Sequence, residues 1–185
     1  MPGQQLRIIG GRHRGRKLRF ADLPGLRPSG DRGRETLFNW LQPVIPGARV
    51  LDLFAGSGAL GFEAVSRGAG SVIMVERAGK AVRLLRDNAR LLGEDVDIVQ
   101  ADALAWLPTV DQRFDIVFLD PPFADELLDA SIAALLRFEC LAPGALIYME
   151  TNAAKGLPEL PAPLAWARQK RMGQVAFGLA EADRL

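Results

Sequence analysis

A chain of 185 residues, 49% hydrophobic and 24% charged, suits one globular domain carrying a small appendage. One cysteine (Cys140) and one histidine (His13) exclude an intramolecular disulfide and a zinc site of the usual kind, no apolar run is long enough to cross a bilayer, and the basic N-terminus lacks a signal-peptide core, so a reducing, cytoplasmic setting and no metal are expected. The formal charge of +1 conceals an asymmetry: residues 1–34 hold nine Lys/Arg against Asp22 and Asp31, whereas the remainder holds 14 basic and 20 acidic residues, a basic arm on an acidic body that points to a polyanionic partner.

Residues 6–9 and 16–20 alternate apolar with polar and read as a hairpin around Gly10-Gly11-Arg12-His13-Arg14-Gly15. A loop over 23–28 leads to a helix running to 41, capped by Asp31 or Ser29, with Leu37, Phe38 and Leu41 on its buried face. Pro43 and Pro46-Gly47 end it. A regular alternation follows: strand 49–54, helix 59–67 closed by Gly68, strand 71–76, helix 78–92 closed by Gly93, strand 96–100, a short turn at 104–107, strand 115–120, helix 126–138 closed before Pro143-Gly144, and strand 145–150. Such alternation predicts βαβ units, hence a doubly wound, mostly parallel α/β sheet. The tail changes character. Residues 166–170 and 174–179 flank Arg171-Met172-Gly173 and predict an antiparallel hairpin on the sheet edge. Residues 1–42 read as a basic hairpin-and-helix extension, and 43–185 as the main domain.

The stretch Val50-Leu51-Asp52-Leu53-Phe54-Ala55-Gly56-Ser57-Gly58-Ala59-Leu60-Gly61 is a strand, a glycine-rich turn and a helix start, the arrangement that brings a nucleotide close to backbone. Glu76, twenty residues after Gly56, ends the next strand and can accept both hydroxyls of a ribose. Asp102 follows the third strand, where it can meet an adenine amino group, with the backbone around Ala103 near a ring nitrogen. Asp52, Glu76 and Asp102 thus fall at three consecutive strand ends. These features suit an adenosine-containing ligand. A nicotinamide dinucleotide would favour an uncluttered helix N-terminus for its pyrophosphate. The carboxylate of Asp52 before the turn favours S-adenosylmethionine, with its amino group and sulfonium.

Further along, Asp115-Ile116-Val117-Phe118-Leu119 runs into Asp120-Pro121-Pro122-Phe123, just past the carboxyl end of a buried strand. Asp120 and a proline-fixed carbonyl can accept hydrogen bonds from an aryl amine, and Phe123 can stack on the base. Such bonds draw the nitrogen toward tetrahedral geometry and expose its lone pair to an in-line methyl donor. Catalysis of that kind is positioning and preorganised electrostatics. Arg12, Arg14, Arg16 and Lys17 near the hairpin tip are candidate phosphate contacts. His13 reads as an exposed loop residue, Cys140 as a buried filler, and Trp40, Trp106 and Trp166 as packing.

Beyond these readings, the segments Arg7-Ile8-Ile9-Gly10-Gly11, Arg14-Gly15-Arg16, Arg27-Pro28-Ser29-Gly30-Asp31-Arg32-Gly33-Arg34-Glu35 and Leu37-Phe38-Asn39-Trp40-Leu41, with the two motifs above, resemble a bacterial family. It is the D-type family of 16S ribosomal RNA guanine-N2 methyltransferases, and the resemblance spans essentially the whole chain. It implies a Rossmann-like class I methyltransferase fold, S-adenosylmethionine as donor, and a guanine of small-subunit ribosomal RNA, in a 30S particle or assembly intermediate, as acceptor. It also implies that Asp52, Gly56, Gly58, Glu76 and Asp102, with the adjacent Phe54, Arg77 and Ala103, bind the donor. Asp120 to Phe123 would hold the base, and the block from Arg27 to Asn39, including Arg32 and Arg34, would close over the donor's methionine end and the RNA. Ser29 and Gly33 depart from the usual threonine and aliphatic residue. Adenine enzymes more often carry asparagine in place of Asp120, which tilts the chain toward guanine. A monomer without membrane contact is expected. The rival readings are an N6-adenine or protein-amide methyltransferase, a nicotinamide-dependent oxidoreductase, and a non-catalytic RNA-binding assembly factor.

Overall fold

The structure is a computed structural model and describes residues 4–22, 30–122 and 124–183. In chain order it contains β1 (Gln4–Arg7), β2 (Lys17–Phe20), α1 (Asp31–Leu41), β3 (Arg49–Asp52), α2 (Ala59–Ser66), β4 (Ser71–Glu76), α3 (Gly79–Leu92), β5 (Asp97–Gln100), α4 (Ala103–Trp106), β6 (Phe114–Leu119), α5 (Ala124–Arg137), β7 (Leu141–Asn152), β8 (Leu164–Met172) and β9 (Val175–Ala182). Seven strands form one sheet in the order β5-β4-β3-β6-β7-β9-β8. The first five are parallel, and β9 and β8 run antiparallel at the far edge. The expected α/β architecture and terminal hairpin are therefore present, with β9 inside the sheet and β8 alone at the edge.

The central strands read as continuous apolar runs because helices cover both faces. On one face Val50, Met74, Phe118 and Tyr148 pack against the β1–β2 hairpin, α1, α2 and α3. On the other, Leu51, Val75, Val117 and Ile147 pack against Leu128, Ile132 and Leu135 of α5. Helix α3 shows the logic locally: Val82, Leu85, Ala89 and Leu92 are buried at helical spacing, and Gly93 at φ 69° closes it with a bond to Arg90 O.

Three expectations need correction. Gly30 occupies the N-cap of α1 and makes no side-chain cap; Asp31 sits in the first turn, and Ser29 lies outside the described residues. Pro143-Gly144 does not precede the strand but lies inside β7, where pairing jumps from Phe114↔Leu141 to Ile116↔Leu146. A bulge accommodates the proline, which cannot donate to a ladder. His13 is not an exposed loop residue: its side chain is 14% exposed and its Nε2 contacts Glu94.

The hairpin is part of the core rather than an appended arm. Leu6, Ile8, Leu18 and Phe20 are buried in the same cluster as α1 and α2. Glu63 of α2, fully buried, accepts from the N–H groups of Ile9 (2.9 Å) and Gly10 (2.8 Å) and from Arg67 Nε (2.8 Å). At the tip, Arg12 N–H donates to Ser66 O, and Gly11 lies so close that a Cβ would sit 1.9 Å from that oxygen.

Candidate active site

Parallel register brings four carboxylates to one level, three at the carboxyl ends of their strands and Glu150 inside β7, which runs on to Asn152 instead of ending at 150 as expected. Asp52 is level with Met74 and Phe118, and Phe118 with Tyr148. Side chains alternate along a strand. Glu76, Asp120 and Glu150, each two residues beyond Met74, Phe118 and Tyr148, therefore share with Asp52 the face covered by α1 and α2. The row Glu76–Asp52–Asp120–Glu150 crosses β4, β3, β6 and β7 at the edge where open α/β sheets bind ligands.

The glycine-rich turn forms as the sequence suggests. Gly58, at φ 78°, caps α2, and its N–H donates to Ala55 O at 2.7 Å. The left-handed conformation needs glycine, and a Cβ there would also meet Leu85 and Phe62 within 2.7 Å. Asp52, 2% exposed, accepts from Gly61 N–H at 3.0 Å. Burial raises its pKa to about 7, against the bond from Gly61, and the negative charges of Asp120 and Glu76 push the same way. Glu76 accepts from Gly56 N–H (3.0 Å) and Ala78 N–H (2.8 Å), so it ties the turn to the end of β4. Asp102 caps α4 through Oδ1, accepting from Leu104 and Ala105 N–H at 3.0 Å each. Ala103 takes the first helical position, where a backbone N–H has no intrahelical acceptor. Phe54 is half-buried against the second core cluster, and Arg77 is exposed beyond β4.

At Asp120 the strand ends and Pro121 is buried, with Pro122 half-buried; Phe123 lies outside the described residues. The sequence reading missed the neighbouring pair on β7. Tyr148, 1% exposed, donates its hydroxyl to Glu150 Oε2 at 2.6 Å. Burial, then the charges of Glu150 and Asp120, hold the Tyr148 phenol well above its ordinary pKa. Burial also raises Glu150, against the bond from Tyr148. The signal was available: a strand expected over 145–150 ends on an acid, as the strands ending at 76 and 120 do.

The basic candidates divide. Helices α2 and α3 start at the carboxyl edge, so their C-termini lie at the opposite edge, and the hairpin tip docks there against Ser66 and Glu94. Arg12 forms a two-point ion pair with Glu94 (2.6 and 2.7 Å), and Arg16 donates to Leu91 O. The tip therefore does not converge with Asp120. Arg34 is not an RNA-facing residue: it is 1% exposed and donates to Asp31 Oδ1 (2.6 Å) and Arg7 O (3.0 Å), with Glu63 at 3.8 Å. Arg14, Lys17 and Arg32 are exposed, and Arg27 lies outside the described residues. A basic strip not anticipated from sequence is Arg168, Lys170 and Arg171 on edge strand β8, exposed, with Lys170 level with Glu150 through Phe177.

Sheet order, glycine turn and strand-end acids define a Rossmann-like class I methyltransferase fold. The family model described as conserved hypothetical protein 95 matches residues 6–181. Ribosomal RNA small subunit methyltransferase D of Escherichia coli K12 is 47% identical over 181 residues, covering 97% of this chain and 91% of that protein. The Haemophilus influenzae protein of the same name is 42% identical over 182 residues, covering 95% and 93%. The solved structure of Escherichia coli yhhF superimposes with a TM-score of 0.92 at 43% identity, covering 98% of this chain and 100% of that one. The chain belongs to this family, the one that includes ribosomal RNA small subunit methyltransferase D.

Proposed function

We propose that the chain transfers a methyl group from S-adenosylmethionine to the exocyclic N2 of a guanine in small-subunit ribosomal RNA. The observation that carries this reading is the row of four carboxylates, three at strand ends and Glu150 two residues before the end of β7. Among the described residues, Asp52, Glu76 and Glu150 form no ion pair with a basic side chain; their bonds come from backbone N–H groups and a tyrosine hydroxyl. Such a row suits a ligand that brings positive charge and N–H donors. Family membership supports the same donor and class of acceptor.

The residues present fit the donor. Glu76 faces the turn at Gly56 and would take the ribose hydroxyls; Asp52, beside that turn, would serve as the acid for a cationic end; Asp102, at the start of α4, and Ala103 would take the adenine. When bound, the donor supplies an electrophilic methyl on sulfonium. Asp120 and a carbonyl of the Pro121-Pro122 turn accept the two N–H bonds of N2, which weakens its conjugation with the ring and directs its lone pair outward. The base must leave any helical stack, at a cost of a few kcal/mol. Positioning of this kind is worth several kcal/mol of barrier; no covalent enzyme intermediate is required, and the surplus proton of the methylated N2, acidic once the nitrogen is cationic, passes to water. Arg168 and Lys170 on the edge strand, which share the face of Glu150, with exposed Arg32, carry the flanking phosphates. In this reading residues 1–42 are the RNA-contacting extension, through residues other than the hairpin tip.

Labelled S-adenosylmethionine offered with under-methylated small subunits, naked RNA, DNA and protein tests it. The label is expected on N2-methylguanosine from the subunits, and Asp120→Ala should remove it while S-adenosylhomocysteine still binds. Label on adenosine, on DNA or on protein, or no transfer to any acceptor, would overturn it.

A further inference from the structure

Glu150 has no part in donor binding or in holding the N2 amine as described above, yet it stands beside Asp120. Strands β6 and β7 pair in parallel through Leu119↔Met149, which makes residues 120 and 150 the next positions of the same ladder. Adjacent strands lie about 4.8 Å apart, so two carboxylates at this level can meet neighbouring atoms of one ring edge. The Glu150 side chain is flanked by Tyr148 on its own strand and by Phe177, its partner on β9, both 1% exposed. The Tyr148 hydroxyl holds Oε2 at 2.6 Å. One oxygen is thus committed to a rigid internal donor, and the carboxylate has a fixed orientation.

Guanine presents two kinds of donor on its Watson–Crick edge, the N2 amine and N1–H. Adenine and 2-aminopurine carry an unprotonated N1, an acceptor. We propose that Glu150 is a specificity-determining residue that accepts the N1–H of the target guanine while Asp120 accepts from N2. This inference rests on the guanine-N2 reading above. A ring whose N1 carries a lone pair meets a carboxylate oxygen there, so acceptor opposes acceptor in a half-buried site. A site built to pair a polar group rejects the analogue that lacks it by far more than a contact of apolar surface would. Tyr148 acts through Glu150 as a positioning residue.

The test begins by mapping the methylated guanine in ordinary subunits, then rebuilding subunits with ligated 16S RNA carrying guanine or 2-aminopurine at that position. 2-Aminopurine keeps the exocyclic amine and loses N1–H. Wild type should prefer guanine by about 100-fold or more in kcat/KM. Glu150→Gln retains an oxygen to accept from Tyr148 and adds an N–H that can face an unprotonated N1. It should reduce that preference at least tenfold, with S-adenosylhomocysteine affinity unchanged. Tyr148→Phe, which frees the carboxylate to rotate, should reduce the preference several-fold and carries the test if the Gln variant does not fold. An unchanged ratio, or equal losses on both bases, would show a purely structural role and overturn the inference. Absence of N2-methylguanosine from wild type on ordinary subunits would instead overturn the function on which it rests.

Discussion

Asp52 is the residue where burial and function meet most sharply. An acid with its pKa raised to about 7 is ionised at neutral pH only at a cost to folding. Its neutral form is the one the fold prefers, so its contribution to stability is fully present below the ordinary carboxylate range and is lost as pH rises through about 7. Asp52→Asn keeps an oxygen for Gly61 N–H and removes the charge. The variant without donor is expected to gain on the order of a few kcal/mol over wild type at pH 8, the gain vanishing near pH 4, measured by thermal unfolding across that range. In the proposed reading the cationic donor binds the ionised form. Wild-type affinity for S-adenosylmethionine should therefore rise from about pH 6 to 8 and stay flat in the variant. A flat wild-type profile would place the cationic end elsewhere. At this scale the sequence was partly legible. Asp52, Glu76 and Asp120 stand out as site candidates because acids at the ends of apolar runs are costly without a task. Glu150 does not stand out, because a lone glutamate near the end of an apolar run has no motif around it, and β7 in fact continues to Asn152. Arg34 enters the RNA candidates through its place in the basic block that begins at Arg27, and only the path of α1, which buries it, takes it out of them.

The elements that hold the site are fastened by one buried ionic cluster. Arg34 of α1 and Glu63 of α2 join with Arg67 and the backbone N–H groups of Ile9 and Gly10, and two guanidinium nitrogens of Arg34 lack a described hydrogen-bond partner. Removing one partner from such a cluster is costly because the other charge stays buried. Arg34→Ala should lose about 3 kcal/mol in denaturant unfolding, whereas Arg14→Ala, at an exposed loop position, should lose almost nothing. Loss of RNA binding by Arg34→Ala with stability intact would restore the role its sequence context suggests. The elements themselves were legible from hydrophobic period and glycine stops. Helix α3 ends at Leu92 with Gly93 closing it, as expected, and β4 matches its expected span. The bulge at Pro143-Gly144 was not legible, because a proline-glycine pair signals a break in sequence whether or not a neighbouring strand absorbs it.

For the whole molecule, sheet order decides which charges face the same partner. The hairpin tip, the most basic stretch of the sequence, sits at the edge away from the carboxylate row, and the β8 strip lies level with it. Paired replacement of Arg168 and Lys170, which share the face of Glu150, by Ser should weaken subunit binding and lower the salt slope by about two. The same change at Arg12 and Arg16, which are held by Glu94 and Leu91 O, should lower it less. The reverse ranking would return the RNA contact to the hairpin tip. The fold class was readable from alternating strands and helices. The placement of the tip was not, because it depends on a contact between residues 11 and 66 that no local pattern encodes.

In the proposed reaction the aryl amine is held at the end of β6. A crystal structure of the protein with S-adenosylhomocysteine and guanosine addresses it directly. The guanine N2 is predicted within about 3 Å of an Asp120 carboxylate oxygen, with the donor's sulfur on the side of Asp52 and Glu76. Guanosine bound in order away from Asp120, or a donor lying off the glycine turn, would contradict the account.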